Sequence, residues 1–256
     1  MSHMNRNPVN PARPKRGAIV ISNSGVSTTT GWPVGFWWAE LTHPYFLFTE
    51  AGWQVDVYSP EGGDCGWDAM SDPEDESQWQ AEDVISRGYK HDPAFLELVR
   101  GTTAVDDLDV ADYDVLVVAG GQGPMFTFDR AENLQRTFSE FYETGKVTAA
   151  LCHGTAILRY ARLRSGEPLV KGKTVTGFAN IEEDFADEAV WAAGALSRDT
   201  HVMPWRIEDE LRKLGANYVQ AGLWSPFAIR DGNLVTGQQN FSGAEVARVI
   251  LEAVGR

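Results

Sequence analysis

Three segments carry apolar side chains with almost no alternation: 18–21, 115–119 and 147–151. A strand that alternates can leave one face in water, whereas one that does not must be covered on both. Each run ends in a polar or glycine-containing loop, and helical spacing follows. After the first, the stretch 35–52 carries Phe36, Trp37, Leu41, Tyr45 and Phe48 at helical intervals, with Gly52 as a stop. A second strand at 54–58 is closed by Ser59-Pro60, so the chain opens as a β–α–β unit. Further helices are expected at 93–99, 129–144, 155–161, 204–214 and 242–254. A strand is expected at 173–176, and a hairpin around Asp231-Gly232. The pattern predicts an α/β fold, a doubly wound and mostly parallel sheet sandwiched by helices.

Residues 1–16 are rich in Asn, Pro and base and have no apolar centre. They read as a tail outside the fold and not as a secretory signal. Residues 17–256 read as a single domain, with an acidic insert around 61–92. The least periodic part, 61–83, is expected to be a solvated excursion, with a loop covering a pocket as the alternative. The chain has 36 acidic and 22 basic residues, a net charge of −14, which argues against nucleic acid and anionic membranes as partners. No apolar run approaches the roughly 20 residues of a membrane span. Two cysteines, Cys65 and Cys152, cannot make a disulfide scaffold and point to a reducing, cytoplasmic setting. His43, His91, His153 and His201 are scattered without metal-ligand spacing, so no metal is expected.

The strand 147–151 runs directly into Cys152-His153-Gly154, and a helix is expected to begin at once. Such a turn holds its central side chain above the sheet, and small neighbours, here Ala150 and Gly154, let the backbone cross closely. Amides at the start of a helix favour a thiolate, so the Cys152 pKa is expected to fall. His153 is a candidate base or oxyanion-side group. Gly120-Gly121-Gln122-Gly123 ends another strand and lacks dinucleotide-binding spacing. Its Gly121 amide is a candidate oxyanion donor beside that of His153. Glu40 sits among Trp32, Phe36, Trp37 and Trp38, where burial would keep its carboxyl protonated. Cys65, in the acidic loop, is expected to be an incidental surface thiol.

Over roughly 17–255 the ordered set of motifs resembles the ThiJ/PfpI superfamily, similar in fold to flavodoxin-like proteins and class I glutamine amidotransferases. It is carried by G-F-W-W-A-E-L-T-H-P-Y at 35–45 with E-A-G-W-Q-V-D at 50–56, and by A-G-G-Q-G at 119–123 with A-L-C-H-G at 150–154. G-K-T-V-T-G-F at 172–178, Glu182-Glu183, E-D-E-L at 208–211 and D-G-N-L-V-T-G-Q at 231–238 complete it. The set looks like the heat-shock chaperone-like branch, which includes cofactor-independent glyoxalases.

The resemblance implies Cys152 as nucleophile, Glu40 as its hydrogen-bonding proton shuttle, His153 as the triad-like histidine and Glu183 as its orienting acid. Glu182 is the neighbour should the register slip by one. Gly121, Gln122, Gly154 and Trp37 are expected to bind substrate or its oxyanion. It further implies glyoxalase-type conversion of small 2-oxoaldehydes to 2-hydroxy acids, and a homodimer. A cysteine hydrolase or hydratase (amidase, peptidase or isonitrile-type) and a stress-response holdase or redox sensor are the alternatives. The chain departs from the branch at Gln122, often His, at Thr155, often Pro, and in the stretch 28–34. These changes predict a more aromatic, less basic rim.

Overall fold

The computed structural model describes residues 13–255. Most of the expected tail, 1–12, lies outside them. Arg16, assigned to that tail by the sequence, instead opens the first strand, where its guanidinium pairs with Asp56 at 2.8 Å. The main sheet has seven strands: β1 (Arg16–Val20), β2 (Gln54–Ser59), β3 (Thr103–Ala104), β4 (Val115–Val118), β5 (Val147–Leu151), β6 (Ala228–Asp231) and β7 (Leu234–Gly237). Their order is β6-β7-β5-β4-β1-β2-β3, parallel throughout except for the β6–β7 hairpin at Asp231-Gly232.

The absence of alternation in β1, β4 and β5 now has its cause. Ala18, Val20, Leu116, Val118 and Ala150 face one core, which includes Phe138 and Phe141 of helix α4 (Glu132–Glu143). Ile19, Ile21, Val117, Ala149 and Leu151 face the other, with Leu41 and Phe48 of α1 (Trp38–Glu50) and Val246 and Ile250 of α6 (Gly243–Val254). Both faces are buried, as a doubly wound sheet requires. The insert contributes α2 (Val84–Lys90) and α3 (Pro93–Arg100), capped by the Asp83 and Asp92 side chains.

Several elements differ from expectation. The strand read at 173–176 is only Thr174–Val175, and it pairs with Asn217–Tyr218 in a separate two-stranded sheet. After Cys152 the chain makes a 3₁₀ turn, Cys152–Ala156, before the short helix Ile157–Tyr160. A 13-residue helix, α5 (Asn180–Ala192), occupies a stretch that carried no helical assignment. Cys65 is buried with 0 % exposure, against the surface thiol expected. Asn23, just after β1, and Thr102, just before β3, lie against it, with its sulfur 3.8 Å from Asn23 Nδ2 and 3.6 Å from the Thr102 hydroxyl.

Candidate active site

Cys152 stands where β5 leaves the sheet, at φ 53°, in the left-handed region that a side chain rarely occupies. The turn is fixed from two sides. The Thr155 hydroxyl donates to the Cys152 carbonyl at 2.6 Å, a tie that a proline there would lack. Gly154 packs against β4 so closely that a Cβ would lie 2.6 Å from the Val118 carbonyl oxygen. Gly154 therefore serves the crossing. It does not line the cavity, contrary to its expected part in substrate binding.

The amides of His153 and Gly121 both point at the Cys152 sulfur. Gly121 reaches this position at φ 99°, with its Cα against the 35–37 backbone, where a Cβ would lie 2.5 Å from the Gly35 oxygen. Trp37 donates its amide to Gly120 O at 3.1 Å, and Gly123 donates to Gly35 O at 2.8 Å. The aromatic stretch and the glycine loop are thus one unit.

Glu40, in the first turn of α1, is completely buried beneath this loop. Its Oε2 accepts from the Gly120 amide at 2.7 Å, and the carboxyl interacts with the Cys152 thiol. Loss of hydration pushes its pKa up to about 8, against the partial compensation of the thiol and the Gly120 amide. The expectation for Cys152 is reversed. Burial pushes the thiol well above its ordinary value, and Glu40 beside it pushes further, while the two amides pull back. A 3₁₀ turn and one short helix present too few aligned peptides to overcome that desolvation. Carboxyl and thiol are two acids in one dry site, and their titration belongs to the pair.

His153 is buried and stacks on Phe178, with ring centroids 4.0 Å apart. Its Nδ1 lies 3.7 Å from Cys152 Sγ, and its Nε2 lies 3.1 Å from Glu183 Oε1. A carboxylate at Nε2 calls for a proton there, which leaves the Nδ1 lone pair toward the sulfur. Glu182 turns away, accepting from Gln238 Nε2 at 2.7 Å and from the Ala179 amide at 3.1 Å. The latter bond closes the first turn of α5 and fixes the register that brings Glu183 to His153.

Asp68 belongs to the same site and was not singled out by sequence. It is buried in the acidic insert and accepts from the Gly35 amide at 3.0 Å and from the Gln122 amide. Desolvation raises its pKa to about 7, opposed by those two amides. Its neighbours Asp64 and Asp72 look the same in sequence, so no local signal marks it.

Above the thiol lies a cavity of about 310 Å³. Trp37, Gly121, Gln122, Cys152, His153 and Glu183 line it, and so do Trp32, Met70, Trp79, Phe178, Phe185 and Trp224. Met70 and Trp79 come from the insert, which covers the pocket and is not merely solvated. No Lys or Arg is among the lining residues. Gln78, Cys152 and Trp224 are the non-glycine residues with positive φ among the described residues, and each lines the cavity or adjoins a residue that does. Among the described residues no group of three or more His, Cys, Asp or Glu side chains is arranged to hold a metal ion, and no helix is long and apolar enough to cross a membrane.

The chain as a whole has relatives among known proteins. Residues 35–202, which hold every acidic, thiol and imidazole group of the site, match the model of the DJ-1/PfpI family. The chain belongs to that family. A glutathione-independent glyoxalase of Saccharomyces cerevisiae is 30% identical over 245 residues, covering 94% of this chain and 98% of the relative. Glyoxalase 3 of Candida albicans is 29% identical over 225 residues, 87% of this chain and 91% of the relative. Among solved structures, the Rapid Encystment Protein 24 KDa of Francisella tularensis superposes with a TM-score of 0.82 at 27% identity, covering 94% of this chain and all of that one. The crystal structure of glyoxalase III from Candida albicans gives 0.74 at 27% identity, covering 94% and 97%.

Proposed function

We propose that this protein is a cofactor-independent glyoxalase that converts 2-oxoaldehydes to 2-hydroxy acids. The observation that carries the reading is the fully buried Glu40 carboxyl, its pKa pushed up to about 8, against the Cys152 thiol, with two backbone amides aimed at the same sulfur. A hydrolase needs a base and an oxyanion site. An internal proton transfer between adjacent carbons also needs an acid that can give up a proton and take it back in a dry site. The names of the relatives that match nearly end to end point the same way.

The steps balance as follows. The Cys152 sulfur bonds to the aldehyde carbon, its proton passes to His153 Nδ1, and Glu40 protonates the former carbonyl oxygen to give a hemithioacetal. The Gly121 and His153 amides hold that oxygen as charge develops. Glu40, now a carboxylate, removes the proton from the aldehyde carbon. The electron pair forms a carbon–carbon double bond, and the second oxygen takes the proton from His153, giving an enediol. Glu40 returns its proton to the second carbon while the hydroxyl on the first gives one to His153, which leaves a thioester. Water attacks the thioester and yields a proton to Glu40. The carbon–sulfur bond breaks, and the sulfur recovers its proton from His153. The sum is substrate plus water, with no oxidant or reductant. Glu183 supports each imidazolium stage through Nε2.

The test is lactate formation from methylglyoxal without glutathione. Wild type is expected to turn over, and Cys152→Ala to show none. Turnover that survives in the variant, or a wild type inert toward every 2-oxoaldehyde, refutes the reading. The 3.1 Å His153–Glu183 contact also gives a second reading, thiol hydrolysis of an acyl compound, which would appear as ester or amide cleavage dependent on Cys152.

A further inference from the structure

The cavity is far larger than the smallest 2-oxoaldehydes require, and its polarity is divided. At about 30 Å³ for each water-sized group, 310 Å³ holds roughly ten such groups, about twice the non-hydrogen atoms of methylglyoxal. The polar side chains that meet it, Gln122, His153, Glu183 and Asn240, come from segments around the thiol. Asn240 is 2% exposed, and its Nδ2 is buried without a hydrogen-bond partner. It lies in the turn Asn240–Ser242 that leads into α6, whose first residue, Gly243, abuts the Ala39 carbonyl next to Glu40. A buried amide donor without a partner, on a residue that lines the cavity, is a group awaiting an acceptor.

The rest of the lumen is aromatic and apolar. Trp79 and Trp224 meet edge to face at 5.7 Å, and Phe185 stands at 89° to Trp224 at 5.5 Å. The apolar surface also continues outward. Trp32, Met70 and Phe185, all lining residues, are each more than 40% exposed, an arrangement found around mouths that admit apolar ligands.

The geometry points to 2-oxoaldehydes with a bulky, flat apolar substituent, an aryl group above all, as the preferred substrate class. The inference rests on the glyoxalase reading and narrows it. The aldehyde carbon meets Cys152, the second oxygen accepts from Asn240 Nδ2, and the substituent fills the space between Trp79, Trp224, Phe185 and Met203. A methyl group would leave those walls facing a void that water fills poorly, whereas a phenyl ring would displace that water and stack.

The test compares phenylglyoxal with methylglyoxal, without glutathione, in wild type, Ala186→Trp and Phe185→Ser. Ala186 lines the lumen on α5 and is only half-buried, so a larger side chain there projects into the cavity and not into the core. Phe185 is 43% exposed and can be removed without opening the core. Wild type is expected to give a kcat/KM about ten- to a hundredfold higher on phenylglyoxal, since desolvating the ring against aromatic walls is the added interaction. Ala186→Trp should abolish that advantage, lowering kcat/KM on phenylglyoxal at least about tenfold more than on methylglyoxal, and Phe185→Ser should raise the phenylglyoxal KM more than the methylglyoxal KM. Binding of the products, mandelate against lactate, is read separately by tryptophan fluorescence. Methylglyoxal turnover with no aryl preference, or an equal effect of Ala186→Trp on both substrates, overturns this inference and leaves the glyoxalase reading standing. Mandelate binding with no turnover of either aldehyde overturns both.

Discussion

Replacing Glu40 by Gln should make the protein more stable and inactive. The ordinary glutamate pKa is 4.5, and burial raises that of Glu40 to about 8. Below pH 4.5 both folded and unfolded chains hold the proton. Above it the unfolded chain releases the proton and the folded one keeps it, so stability falls as pH rises, until the folded group also ionises near pH 8. The fall is about 1.36 kcal/mol per pH unit, which amounts to about 3 kcal/mol at pH 7 and about 5 kcal/mol above pH 8. Glutamine keeps an oxygen for the Gly120 amide and carries no proton to lose. Allowing about 1 kcal/mol for the side-chain amide placed against the thiol, a gain of about 2 kcal/mol at pH 7 is expected. For a chain of this length that is roughly 4–8 °C in melting temperature.

The assay is urea unfolding of both proteins at pH 4.5, 7 and 8.5. Asp68, raised to about 7, adds a slope of its own that both proteins share, so the informative quantity is the difference between them. That difference should be smallest at pH 4.5 and largest at pH 8.5. Equal slopes, or a variant less stable than wild type at pH 8.5, would mean that Glu40 is ionised in the fold and that the proposed proton shuttle starts from the wrong state. The same variant removes the carboxylate that pushes Cys152 up, so alkylation of the thiol by iodoacetamide at pH 8.5 should quicken even as turnover is lost.

Two other substitutions probe the supporting groups. Glu183→Gln keeps the shape but can turn its amide N–H toward His153 Nε2, forcing the proton onto Nδ1. kcat should fall by about 10²–10⁴ while KM stays near that of wild type, a split read by steady-state kinetics. Asp68→Asn leaves one of the Gly35 and Gln122 amides without its acceptor. kcat/KM should fall about tenfold, the equivalent of one buried hydrogen bond, and the stability slope between pH 4 and 7 should shrink.

What the sequence made legible follows from which signals are local. β1, β4 and β5 announce themselves because burial on both faces removes alternation. The turn at Cys152 is readable because a tight crossing needs Gly154 in place, and Glu183 rather than Glu182 at His153 follows once helical spacing in α5 is known. That helix escaped notice because its apolar side chains, Phe185 among them, face a cavity and its mouth and not a continuous core, so the usual stripe is broken. Asp68 gives no signal, and Cys65 reads as a surface thiol, for the converse reason. A run rich in Asp and Gly looks solvated, yet chain distant in sequence folds over it. The direction of the Cys152 pKa depends on how completely Glu40 and the insert exclude water, a tertiary property that the elbow motif does not encode.

The left-handed residues Gln78, Cys152 and Trp224 have a bearing on where the molecule opens first. Each such backbone is strained by about 1–3 kcal/mol. They converge on one cavity, whose walls come partly from the insert and from α5, while the sheet beneath is covered on both sides. Amide hydrogen exchange should therefore divide the chain sharply. The cavity walls would exchange through local opening that relieves the strain, β1, β4 and β5 only through global unfolding, and a ligand held between the walls would slow the first class without touching the second.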